Sequence, residues 1–115
     1  MSYMEILYGY GEFEGFANAV HNGTSPVNVT GLTGSQKAHL IFSAAKKLSR
    51  SALVVTHGAL EARKLYEDLA FFARESVLYF PAKEYVFYPV DTVSHSVGDR
   101  RLAVLSKLNS SNECI

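Results

Sequence analysis

Residues 27–40 read VNVTGLTGSQKAHL, an apolar-leaning run followed by a glycine-containing turn and the start of an amphipathic stretch. This order predicts a short strand at 27–30, a loop, and a helix that opens at Ser35. The loop matches part of the pattern G-x-x-x-x-G-K-[ST], in which backbone N–H groups surround phosphates while the lysine and the hydroxyl complete the site. This stretch therefore decides both the expected fold and the candidate site.

The loop keeps two parts of that pattern and lacks two. Gly31 and Lys37 occupy the first glycine and lysine positions, and Gly34 lies between them. Gln36 replaces the second glycine, where a side chain would crowd a backbone that has to curl around phosphate. Ala38 follows the lysine and has no hydroxyl for Mg²⁺, which prefers oxygen ligands. We expect a degenerate loop with no intact nucleotide or metal site, in which Lys37 is a solvated residue of the first helical turn.

A working loop of this type also needs an acid at the end of another apolar strand. Asp91 is the nearest candidate, but Pro89 lies in the preceding apolar run and removes a donor that a central strand requires. Asp91 is therefore a weak candidate for a metal-site acid. A weak residual ATP site, held by Lys37 and the loop amides, is the enzyme alternative.

Helical and strand patterns alternate along the chain. Helical spacing of apolar residues is found in four stretches, at 12–21, 35–49, 58–73 and from Gly98 or Asp99 onward. Apolar runs at 52–56 and 76–80 predict two further strands of the buried, parallel kind. The alternation predicts an α/β fold, a parallel sheet with flanking helices, formed as one truncated subdomain over residues 1–115. The loop after the first strand would then lie at the sheet edge where such folds bind ligands.

The charged residues at the helix ends are expected to face solvent. In the last predicted helix the apolar stripe, expected to face the core, is Leu102, Leu105 and Leu108. The basic residues expected on wet faces are Lys46, Lys47, Arg50, Arg100, Arg101 and Lys107.

Composition excludes several classes of protein. Lys plus Arg and Asp plus Glu both number 11, so the net charge of zero argues against autonomous DNA binding. Cys114 is the one cysteine of the sequence, which excludes an internal disulfide and fits a reducing compartment. The sequence contains neither a membrane-length apolar run nor a leader-like start. We expect a cytoplasmic chain with no membrane partner.

The histidines and aromatic residues allow further interpretations. The four histidines lie on separate predicted elements without metal-ligand spacing, so no metal site is expected. His57 directly follows the run at 52–56 and is expected to cap the next helix, although contact with a nucleic-acid backbone is an alternative. Aromatic residues at 71–72, 79–80 and 85–88 are expected to pack, and a single-stranded DNA-binding module is the alternative.

Several segments, in this order, carry a resemblance to a known family. They are the loop at 31–38, ALVVT at 52–56, LEARKLYEDL at 60–69, YPVD at 88–91, and Arg101-Leu102 followed by Leu105 and Leu108. Together they resemble the extreme N-terminal part of bacterial transcription-repair coupling factor (Mfd), which is similar to the first domain of UvrB. The resemblance spans roughly residues 12–115.

The resemblance implies a degenerate P-loop NTPase-like fold that has lost ATPase function in this region, in agreement with Gln36 and Ala38. In full length, such proteins displace RNA polymerase stalled at DNA lesions and recruit UvrA for nucleotide excision repair. ATP and Mg²⁺ would serve the motor domains, and no cofactor is expected for this chain. The implied partners are the rest of the same protein and, in full length, RNA polymerase, UvrA and double-stranded DNA. The UvrA-contacting surface belongs to an inserted domain, so no residue here is assigned to it.

Overall fold

The computed structural model describes residues 5–83, 96–110 and 115. The helices in this part of the chain are α1 Glu5–Tyr8, α2 Gly11–His21, α3 Gln36–Leu48, α4 Ala59–Ala73, the 3₁₀ turn Arg74–Ser76, and α5 Ser96–Ser110. The helices predicted at 12–21, 35–49 and 58–73 are confirmed to within one residue at each end. Helix α1 was not predicted, and α5 begins at Ser96, before the predicted start.

The predicted α/β class is wrong. The described residues are 64% helical and contain no strand and no sheet. The three runs predicted as strands, at 27–30, 52–56 and 76–80, lie outside regular structure apart from Ser76, the last residue of the 3₁₀ turn. An apolar run favours extended backbone, but a strand exists only where a second segment lies at hydrogen-bonding distance, about 4.8 Å away.

Clefts separate these irregular runs from one another. One cleft has residues 29–32 on one side and residues 54–57 on the other. A second lies between residues 52–57 and residues 77–82. The run at 52–56 still alternates in exposure, with Leu53 91% and Val55 84% exposed and Val54 half-buried. The apolar side chains therefore alternate between two faces as in a strand, although no ladder of hydrogen bonds joins this run to another described segment.

Helix α3 is the centre of the packed part of the molecule. It packs against α4 on one side and α2 on the other. The core cluster contains Ala38, Phe42, Leu69 and Val77, with partly buried apolar residues such as Leu65 and Phe72 around it. Phe72 stacks on Phe42 with ring centroids 5.6 Å apart, a separation typical of favourable aromatic pairs.

Lys47 joins α3 to the N-terminal helices. Its ammonium group forms an ion pair with Glu14 of α2 and lies 5.0 Å from the Tyr8 ring centroid and 5.5 Å from that of Phe13. Only 28% of the Lys47 side chain is exposed. Lys47 as a residue is still exposed, as predicted, but its cation lies beside a carboxylate and two aromatic rings.

Helix α5 packs on a different face from the one predicted, with Val97, Arg101 and Val104 half-buried. Leu102, Leu105 and Leu108 are 66%, 51% and 47% exposed. Arg101, expected on the wet face, is half-buried; it donates from Nη1 to the Pro81 carbonyl at 2.7 Å and lies 4.1 Å from the Phe80 ring centroid. A guanidinium that contacts a carbonyl and an aromatic face therefore lies on the side of the helix that packs.

Candidate functional site

The loop before α3 turns at two glycines. Gly31 has φ +83° and Gly34 has φ +51°, a region that other residues rarely adopt. A Cβ at either glycine would have no atom within 4 Å, so the backbone conformation, rather than a close contact, favours glycine. The Gln36 N–H donates to the Thr33 carbonyl at 3.1 Å and closes the turn.

The side chain of Gln36 accepts a hydrogen bond from a backbone amide of this loop. Its Oε1 accepts the Thr33 backbone N–H at 3.0 Å and lies 3.4 Å from the Thr33 hydroxyl. Loop amides are the groups that hold phosphate in the full motif. The sequence predicted that Gln36 would act by crowding, whereas the structure adds a hydrogen bond that takes up one of those amides.

Ala38 lies inside the protein. It is completely buried and belongs to the core cluster with Phe42 and Leu69. A hydroxyl added here would therefore lie among apolar side chains, where it would not face a cation in the loop. The absence of a magnesium ligand at position 38 thus follows from the orientation of the first turn of α3, as well as from the residue type.

Lys37 lies near a carboxylate. Its Nζ is 3.9 Å from Oε1 of Glu61, in the first turn of α4, and the two side chains are 52% and 39% exposed. Such an exposed pair contributes less than about 1 kcal/mol to stability. It nevertheless places a negative group beside the cation that would otherwise attract an anion.

His57 contacts the same carboxylate. Its Nδ1 forms a close contact with Oε2 of Glu61, four residues along the chain. The N-cap of α4 is Gly58, which has no side-chain cap hydrogen bond, so the prediction of a capping role for His57 is wrong. Sequence reasoning missed Glu61; the signal that could have found it is its i,i+4 spacing from His57 at a helix start.

Gly31, Lys37, His57 and Glu61 line one open cleft of about 650 Å³. The cleft thus brings together the loop glycine, the loop lysine and two residues of the next segment. Gly34 and Gln36 are exposed beside it, and Ala38 lies beneath the surface. Lys37 already lies beside a carboxylate, and the Thr33 and Gln36 amides of the loop already donate hydrogen bonds within it.

Other candidates from the sequence lie elsewhere. Asp91 and the aromatic residues at 85–88 are outside the described residues. Phe72 packs against Phe42 and His39, as predicted for the aromatic pair, while Phe71 is 68% exposed. In the part of the chain that is described, no three acidic, histidine or cysteine side chains come together in a way that could hold a metal ion.

No helix among those described is long and apolar enough to cross a membrane. The expected cytoplasmic location stays a prediction.

Comparison with known proteins gives one distant relationship. The chain is 25% identical over 100 residues to the transcription-repair-coupling factor of Bacillus subtilis (strain 168). The matched residues are 86% of this chain and 8% of that protein. No family model matches the chain. No solved structure matches it either. The resemblance seen in the sequence is therefore supported as a distant relationship to a transcription-repair coupling protein.

Proposed function

We propose that this chain is a non-catalytic scaffold subdomain of a transcription-repair coupling protein. The similarity to the B. subtilis factor supports the theme of transcription-repair coupling. In the proposal, the complete protein is an ATP-dependent DNA translocase that displaces stalled RNA polymerase and recruits UvrA. The chain itself packs against the rest of that protein and holds no ATP or Mg²⁺.

The observation that carries the non-catalytic role is the bond between Gln36 Oε1 and the Thr33 N–H, at 3.0 Å. An incoming phosphate would have to displace this acceptor and draw Lys37 away from Glu61. Each exchange replaces one internal contact by one contact to the ligand, so little net affinity is gained. The side chains of Gln36 and Glu61 thus act as internal substitutes for an anion.

Calorimetric titration tests this role. The unaltered chain should give no saturable heat with Mg-ATP at a dissociation constant below about 1 mM, which corresponds to roughly −4 kcal/mol. The double variant Gln36→Gly/Glu61→Gln frees both donors and should show measurable affinity for inorganic phosphate or ATP. Gln36→Gly with Glu67→Gln is the matched control, since Glu67 lies on the same helix but outside the cleft.

Two outcomes would contradict the proposal at different points. Saturable Mg-ATP binding by the unaltered chain would contradict the non-catalytic role. A double variant that binds no better than its control would show that Glu61 does not block the site, because both chains carry Gln36→Gly.

The repair role needs a test in the cell. A B. subtilis factor whose matched region is replaced by this chain should retain preferential repair of the transcribed strand. The same chimera carrying Phe42→Asp, which unfolds the core of the inserted region, is the matched control. A chimera that repairs no faster than a strain without the factor would count against the proposed family role.

A further inference from the structure

The end of α2 carries the one Asn-Gly pair of the sequence, Asn22-Gly23. Helix α2 ends at His21, so Asn22 is its C-cap residue, and both residues of the pair are exposed. An asparagine before glycine is prone to lose its side-chain amide, because glycine has no Cβ to hinder attack by its own backbone nitrogen. A Cβ at position 23 would meet no atom within 4 Å, so the surroundings leave room for that attack as well.

The backbone at this pair forms a helix-ending motif. Gly23 has φ +78°, its N–H donates to the Val20 carbonyl at 3.2 Å, and the Thr24 N–H donates to the Ala19 carbonyl at 2.9 Å. These two bonds are the Schellman pattern, in which a left-handed residue satisfies the last carbonyls of a helix. The nitrogen that would attack is therefore engaged in a hydrogen bond while α2 is intact.

The backbone torsion at Asn22 also keeps the reacting atoms apart. A five-membered ring can close only when the Gly23 nitrogen lies on the same side of the Cα–C bond as the Asn22 Cβ. The ψ angle of Asn22 is 0°, at which the Gly23 nitrogen eclipses the backbone nitrogen of Asn22 instead. Ring closure thus needs a large rotation of ψ, which pulls Gly23 and Thr24 away from the carbonyls that they contact.

We propose that Asn22 is a latent deamidation site whose reaction is gated by the C-terminal cap of α2. The two hydrogen bonds of the cap and the torsion at Asn22 protect the side-chain amide in the folded chain. Opening of the last turn of α2 removes both constraints together. The cap of α2 therefore sets the rate of the reaction.

The reaction needs only hydroxide and water. Hydroxide removes the proton of the opened Gly23 N–H, and the nitrogen forms a bond to Cγ of Asn22. The side-chain nitrogen takes protons from water and leaves as ammonia, so that a succinimide ring remains. Water then adds to one of the two ring carbonyl carbons and breaks its bond to nitrogen, which gives aspartate or isoaspartate.

Both products weaken the cap from which they form. Each adds a carboxylate at the negative end of the α2 dipole, where a negative charge is unfavourable. Isoaspartate also adds a methylene group to the backbone, which changes the spacing that the two cap bonds require. Helix α2 buries Phe13 and Ala17, and its Glu14 pairs with Lys47 of α3. Deamidation therefore loosens the layer that covers α3 and marks chains in which α2 has opened.

Peptide mass spectrometry of the chain, incubated in mildly alkaline buffer, tests the gate. Fragmentation that separates aspartate from isoaspartate gives the rate at each asparagine, both in the folded chain and in the chain unfolded by guanidinium chloride. We expect Asn22 to be the fastest site of the unfolded chain. It should react at least about tenfold more slowly in the folded chain, because a bonded amide becomes reactive only on local opening.

Val29→Gly supplies the matched control. It places a glycine after Asn28, which is exposed and lies outside regular structure. Within the described ranges, the amide of residue 29 takes part in no backbone–backbone hydrogen bond. The rate at Asn28 in this variant should therefore differ by less than about threefold between the folded and unfolded chains, because no cap has to open.

A second pair of variants tests the effect of the product on the cap. Asn22→Asp carries the charge of one product, and Asn28→Asp places the same charge outside the helices. Asn22→Asp should speed hydrogen exchange at the Gly23 and Thr24 amides by at least about threefold, whereas Asn28→Asp should leave both rates unchanged.

Equal rates at Asn22 in the folded and unfolded chains would overturn the gate, and so would equal slowing of Asn28 in the Val29→Gly chain. An unfolded chain in which Asn22 reacts no faster than Asn18 or Asn109 would overturn the assignment of the site. Unchanged exchange at Gly23 in Asn22→Asp would overturn the effect on the cap. These measurements involve no nucleotide, so the deamidation site and the proposed function can fail separately.

Discussion

Helices α3 and α5 have similar apolar spacing but opposite surroundings. In α3, Ala38 is fully buried and Phe42 is 7% exposed. In α5, the equivalent stripe is Leu102, Leu105 and Leu108, each between 47% and 66% exposed. Apolar periodicity therefore predicts a helix and one apolar face, whereas burial of that face depends on what lies beside it.

The source of the difference is visible in the neighbours of each helix. Helix α3 lies between α2 and α4, so its apolar residues are in contact on two sides. Helix α5 is connected by polar groups: Arg101 to Pro81 and Phe80, and Lys107 Nζ to the Glu75 carbonyl at 3.0 Å. Side-chain hydrogen bonds therefore help to orient α5, whereas apolar packing orients α3.

The largest expected effect is in α3. Phe42→Ala should lower the free energy of unfolding by about 3–5 kcal/mol, because it removes a buried ring and leaves a cavity beside Phe72 and Leu69. Urea denaturation followed by far-UV circular dichroism measures the loss. Leu105→Ala is the matched control in α5, where the loss should stay below about 1 kcal/mol. Equal losses at the two positions would contradict the contrast between the helices.

An intermediate effect is expected at the polar anchor of α5. Arg101→Met should lower the free energy of unfolding by about 1.5 kcal/mol, since it removes a charged hydrogen bond and a cation–π contact but keeps much of the side-chain length. Arg100→Met is the matched control, because Arg100 is exposed next to it. The same denaturation measurement applies. If both variants lost equal stability, charge alone would explain the effect and Arg101 would not be an anchor.

The smallest effect is expected on the exposed stripe itself. Leu105→Ser should change the free energy of unfolding by no more than about 0.5 kcal/mol, because the side chain is already half in water. Thermal unfolding of Leu105→Ser should be compared with that of Leu69→Ser, since Leu69 is a buried apolar residue of α4. A loss above about 2 kcal/mol at position 105 would mean that the leucine stripe is covered in the folded protein.

The helices and the apolar runs also differ in how well they could be predicted from the sequence. The boundaries of α2, α3 and α4 could be read from residues three and four apart, because such contacts are local in the chain. The absence of a sheet among the described residues could not be predicted from apolar runs, because strand pairing depends on segments far apart in sequence. At 52–56 the alternation of faces is present while the hydrogen bonds are absent among the described residues.

The candidate site shows the same division. Gly31, Gln36, Lys37 and Ala38 could be singled out from the sequence pattern alone. The prediction that they form no working nucleotide site stays a prediction. The roles of Glu61 beside Lys37, and of Gln36 Oε1 on the Thr33 amide, needed atomic positions, since neither follows from the phosphate-loop pattern.

The positions of α2, α3 and α4 and the departures of the loop from a phosphate-binding pattern follow from the sequence alone, because both depend on residues close together in the chain. The burial of Ala38, the contacts of Arg101 rather than of the leucine stripe in α5, and the separation of the apolar runs are seen only in the folded chain. Those outcomes depend on which surfaces come into contact, and contact between distant segments is set by packing and hydrogen bonding in three dimensions.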